Sequence, residues 1–122
     1  MVNKQTIGDR DTCLSPVDLA ALEESLHEQR GFREEQLRQI AAAPSRAGDP
    51  SRPSAAQTEV RVKLAASARM VLADVEAALA RMAEGRYGHC HLCRRPVDRE
   101  RLMIVPQARY CARCQQVREA GR

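Results

Sequence analysis

The sequence predicts a mainly α fold, a long antiparallel helical hairpin followed by a small C-terminal finger with a short last helix. Three observations carry it. Two apolar stripes of nearly equal length flank one proline-rich break, four of the five cysteines fall in the last third of the chain, and the 122 residues include only three aromatics, Phe32, Tyr87 and Tyr110. So few large side chains cannot fill a sizeable core, so some other cross-link must help to hold the fold.

Residues 1–14 are polar and without pattern, and read as a flexible tail. The first helix opens with Ser15 as N-cap, Pro16 at the first helical position and Asp18 against the free amides of the first turn. Leu19, Leu22, Leu26 and Ile40 continue it at heptad-like spacing as far as Ala43, giving about 28 residues or roughly 42 Å. The same register runs through Gln29, Arg33 and Gln36, with Gly31 in that stretch, so packing there should be loose with room for a bend.

Residues 44–53 hold three prolines and a glycine and must turn. A capping box, Ser54-Ala55-Ala56-Gln57, starts the second helix, and Val60, Leu64, Val71, Val75, Ala78 and Met82 line its seam. Gly85 ends it. Equal arms joined by one turn make an antiparallel hairpin over residues 15–84, with the finger over 85–122.

The finger carries Cys90-x2-Cys93, a 17-residue gap, then Cys111-x2-Cys114. Each two-residue gap turns two thiolates toward one point, and two such knuckles supply the four soft ligands of one tetrahedral zinc ion. With four protein ligands the zinc is structural and has no open position for water or substrate, which argues against an enzyme. His89 and His91 flank Cys90 but are not needed as ligands, and Cys13 lies far from the cluster. The start lacks the apolar run of a secretory signal and no stretch reaches membrane-spanning length, so a cytoplasmic protein is expected, in a compartment that favours metal thiolates over disulfides.

Charge is uneven along the chain. Residues 1–54 hold 7 basic and 9 acidic side chains, 55–84 hold 4 of each, and 85–122 hold 9 and 3. Four thiolates on a divalent zinc take back two of the finger's six surplus charges, leaving a mildly basic face around Arg94, Arg95, Arg99 and Arg101. Such a face suits an acidic protein surface or phosphates, though it offers few aromatics for base stacking.

The run from Gly85 through Tyr87-Gly88 and the first knuckle, the pair Arg101-Leu102, Pro106 five residues before Cys111, and a short helix after it resembles the DksA/TraR-type zinc finger proteins. Two long helices in front of the finger match the DksA architecture, a coiled coil projecting from a globular zinc domain. The resemblance implies a regulator that binds bacterial RNA polymerase and passes its hairpin through the secondary channel to modulate initiation, without reading DNA sequence, acting as an enzyme or binding a membrane.

It also implies a working tip, here Asp49 to Ser54, with Asp49 and Arg52 as the polymerase contacts. The family's tip reads Asp-x-x-Asp-x-Ala, so Arg52 stands for the second Asp and Ser54 for the Ala. A cation in place of a carboxylate reverses the local field. The basic residues that answer the alarmone ppGpp in some members are here Asp74, Val105 and Gln115, which implies that its site is missing. Arg94 stands where a glycine commonly follows the first knuckle. Two other readings of the residues stay open: a zinc ribbon that binds nucleic acid through its basic face, and an adaptor whose hairpin pairs with another protein's helices.

Overall fold

The computed structural model describes residues 14–42 and 54–121. Helix α1 spans Pro16–Ala42 and α2 spans Ala55–Ala83, followed in the finger by α3, Arg99–Ile104, and α4, Ala112–Ala120. Residues 43–53, with Asp49 and Arg52, and residues 1–13, with Cys13, lie outside the described residues.

Both long helices begin where side chains replace the missing backbone partners. Asp18 N donates to Ser15 Oγ at 3.0 Å while Ser15 N donates to Asp18 Oδ2 at 3.1 Å. The same reciprocal box starts α2, with Gln57 N to Ser54 Oγ at 3.2 Å and Ser54 N to Gln57 Oε1 at 2.8 Å. At the other end α2 closes in a Schellman motif: Arg86 N reaches Arg81 O at 2.8 Å and Gly85 N reaches Met82 O at 3.1 Å. Gly85 sits at φ +75°, the left-handed conformation this motif needs.

The arms pack antiparallel and are pinned across by Arg30 Nε to Glu76 Oε2 at 3.8 Å. Near the base the seam is apolar and closed, with Leu22, Leu26, Val75 and Ala78 buried. Farther out it becomes polar, as the Gln29, Arg33 and Gln36 register predicts. These three side chains are half-buried, and Arg33 Nη1 donates to Gln36 Oε1 at 2.9 Å. Toward the described end of α2, Val60 and Leu64 are exposed. Helix α1 runs unbroken through Gly31, where an added Cβ would meet nothing within 4 Å.

The finger has no core of its own. Tyr87, Cys90, Val97 and Leu102 join Leu14, Leu22, Leu26, Val75 and Ala78 in one buried cluster. Hairpin base and finger therefore share one apolar core, and Tyr87 fixes its edge by donating its hydroxyl to Pro106 O at 2.9 Å. Burial pushes that phenol's pKa up, keeping it the neutral donor this bond requires. No described helix is long and apolar enough to cross a membrane.

Candidate metal centre

The first knuckle is built by backbone hydrogen bonds around Cys90. Cys90 N donates to Arg95 O at 2.8 Å, Arg94 N to Cys90 O at 3.0 Å, and Leu92 N to Cys90 Sγ at 3.4 Å. Closing so tight a turn forces Arg94 to φ +66°, the one positive φ at a non-glycine among the described residues. In the second knuckle Cys111 is the N-cap of α4, its Sγ accepting from Cys114 N at 3.4 Å.

The two turns bring all four Sγ atoms within 4.8 Å of one another, and Cys93 and Cys111 lie 3.9 Å apart. Tetrahedral zinc with Zn–S bonds of about 2.3 Å separates its sulfurs by about 3.8 Å, whereas a disulfide would draw two of them to about 2.0 Å. The spacing fits one metal ion and no disulfide.

Electrostatics agree. Burial opposes the Cys90 thiolate, but backbone N–H groups of Cys93, Cys111 and Leu92 outweigh it and bring the thiol to about 6. Cys114 goes the other way, its proton held by the Cys111 sulfur, then by burial and the remaining thiols, up to about 12. Four thiolates cannot ionise this close together without a cation among them. The ion supplies a cross-link, and the four sulfurs complete its shell.

His91 turns away from the ligand role. Its N donates to Arg109 O at 2.8 Å and its ring meets Tyr110 edge-on at 6.0 Å. Among the described residues the close ligand grouping is the four cysteines, without either histidine.

The basic residues are not equivalent. Arg99 makes a two-pronged pair with Asp18, both bonds at 2.9 Å, tying α3 to the start of α1. Arg101 Nε donates to Tyr110 O at 3.1 Å. Arg94 and Arg95 stand exposed on the first knuckle.

Asp74, Val105 and Gln115, far apart in sequence, line one cleft of ≈ 480 Å³ between α2 and α4, together with Arg109 and Tyr110. The Asp74 carboxylate is paired there with the Arg109 guanidinium. Sequence reasoning found the three positions but missed Arg109, whose loop carries no spacing signal that would place it opposite α2.

Residues 85–120 match the family model described as the prokaryotic dksA/traR C4-type zinc finger. An uncharacterized protein of Aquifex aeolicus (strain VF5) is 36% identical over 52 residues, 41% of this chain and 36% of that protein, so the match spans about a third of the relative's length. Among solved structures, transcription factor DksA2 from Pseudomonas aeruginosa is similar with a TM-score of 0.64 at 21% identity, covering 97% of each chain. The DnaK suppressor protein from Agrobacterium tumefaciens C58 follows with a TM-score of 0.60 at 25% identity over 80% of this chain and 91% of that one. The finger is thus of the dksA/traR C4 type, with one structural zinc, on a DksA-like fold of hairpin and finger.

Proposed function

We propose that this protein is a non-enzymatic, cytoplasmic transcription regulator that binds bacterial RNA polymerase directly and reaches toward its active centre with the hairpin, through the secondary channel. The observation that supports this best is where the core lies. All the apolar anchoring except Ala68 gathers at the junction of hairpin base and finger, while the arms beyond are narrow, polar at their seam and joined by few buried groups. Such a body suits a probe held at its base, with the working groups at its far end. The likeness to a transcription factor over nearly the whole chain supports the same reading.

In this reading Asp49 and Arg52 are the contacts at the tip, and the knuckle arginines Arg94 and Arg95 belong to the docking base. The alarmone ppGpp is not expected as a ligand of this chain's own cleft, because Asp74 pairs with Arg109 there, Arg101 gives its Nε to Tyr110 O, and Val105 and Gln115 add no charge. Nucleic acid fits less well as partner, since Arg99 is held by Asp18 and Arg101 gives its Nε to Tyr110 O inside the fold.

Pull-down of tagged protein from a bacterial lysate, with and without nuclease, tests the partner. Polymerase subunits retained after nuclease support the reading, and loss of polymerase with the nucleic acid refutes it. For the tip, Asp49→Asn removes a charge and keeps the shape. It should leave polymerase affinity nearly unchanged while altering initiation in a purified assay, and Arg52→Asp should shift activity toward that of acidic-tip members.

A further inference from the structure

The junction of hairpin and finger has a polar side as well as its apolar core. There α2, the first knuckle and the loop that leads to Cys111 close around a small void, and Asp74, Arg81, His91, Gln107 and Arg109 supply polar groups to its lining. The gap persists because other neighbours are small. Ala77, Ala78 and Ala108 bring only methyl groups to it, and Gly88, held at φ +98°, brings no side chain.

Gln107 stands between two spaces. Its side chain borders this void and also the cleft of ≈ 480 Å³ between α2 and α4. Its Oε1 is buried and meets no hydrogen-bond partner among the described residues, the one buried side-chain atom there so placed. The cleft is open to solvent, so a buried oxygen faces inward. Native folds leave very few buried carbonyls without a donor, because each forfeits the hydrogen bonds that solvent gave it.

Donors bordering the void are already committed. The Tyr87 hydroxyl donates to Pro106 O at 2.9 Å, the His91 amide to Arg109 O at 2.8 Å and the Ala108 amide to Val105 O at 3.0 Å. Arg81 sends Nη2 to Arg86 O at 3.2 Å and Arg109 sends Nε to the Asp74 carboxylate, but each guanidinium carries further N–H groups. The void thus offers an acceptor from Gln107 and donors from two arginines, the setting of a molecule that bridges them.

Size and charge narrow the occupant. The void measures ≈ 10 Å³, room for a single water molecule and nothing larger. An anion would turn its charge on the Gln107 carbonyl, and a cation would meet two guanidinium groups against one carboxylate. Water both donates and accepts at that size.

We propose that this void is a structural water site. The water donates to Gln107 Oε1, which a small turn about the broad terminal amide torsion brings onto it, and accepts an N–H from Arg81 or Arg109. Solvent thereby bridges the loop before Cys111 to α2, on the side of the junction that the apolar core does not seal. The site belongs to the fold and stands independently of the polymerase reading.

The test is a crystal structure of the full zinc-loaded chain at a resolution that shows ordered waters, with a second crystal soaked in bromide. A single density peak in the void at about 2.7–3.2 Å from Gln107 Oε1, with no anomalous bromide signal there, is expected. Gln107→Met keeps the side-chain length and removes the acceptor. It should lose the peak, and oxygen-17 relaxation dispersion in solution should count about one long-lived water fewer than in the parent. A dry void in the parent, Gln107 Oε1 turned onto a protein donor, bromide in the void, or a water retained in Gln107→Met would overturn the proposal.

Discussion

Arg94→Gly should stabilise the finger. Arg94 sits at φ +66°, where a Cβ crowds the following carbonyl at a cost of about 1–2 kcal/mol. Glycine removes that cost but gives back about 0.5–1 kcal/mol through the greater freedom of the unfolded chain, leaving a net gain of about 0.5–1 kcal/mol. Because folding and metal binding are one equilibrium in a small zinc module, the gain reads as zinc affinity about twofold to fivefold tighter in chelator competition. The thermal midpoint should rise by about 2–8 °C. Arg94→Ala is the control, since it deletes the charge but keeps the Cβ, and its zinc affinity should stay within about twofold of the parent. If Arg94→Gly binds zinc no tighter than the parent, or Arg94→Ala matches it, the backbone account is refuted.

Cys90→Ser should lose zinc and finger order, and the shared core should carry the damage into the helix ends around Leu22, Leu26, Val75 and Ala78. Much of the helical circular dichroism should survive, Cys13→Ser should change neither property, and collapse of nearly all helix signal would show that the whole rod depends on its metal. Asp18→Asn should lower the thermal midpoint by untying α3 from α1. Hydrogen bonds from Arg99 and from the Ser15 amide hold the Asp18 carboxyl well below the usual carboxylate range. A depressed folded pKa contributes stability above the unfolded value of about 3.9 that is lost as pH falls through and below it. The Asp18→Asn penalty should therefore be the same near pH 8 as near pH 5.5, and a penalty already gone at the lower pH would contradict the pairing. Calorimetric titration of the isolated protein with ppGpp should give no heat of binding at micromolar concentrations, whereas saturable binding would show that Arg101 and Arg109 rebuild the site.

The helix starts were legible because capping is local chemistry: Ser15 with Asp18, and Ser54 with Gln57, announce themselves within four residues. The zinc ligands were legible because knuckle spacing is also local. The polar outer seam followed from a single heptad register continued past Leu26. What stayed hidden were the long-range pairs. Asp18 meets Arg99 across 81 residues and Asp74 meets Arg109 across 35, and no periodicity predicts which loop folds over which helix. The same limit made Arg94, Arg95, Arg99 and Arg101 read as one basic face, although the fold uses two of them internally. Arg94 was visible as a departure from glycine, but its strain became measurable with a backbone angle.

Photo-crosslinking from the hairpin tip tests the central claim most directly. A photoreactive residue placed at Ser51, between Asp49 and Arg52, should crosslink in a purified complex to polymerase segments that line the secondary channel beside the catalytic magnesium. A second probe at Arg95 should capture segments at the channel rim. Crosslinks from Ser51 confined to the enzyme's outer surface, or none from a protein that binds polymerase stably, would contradict the account.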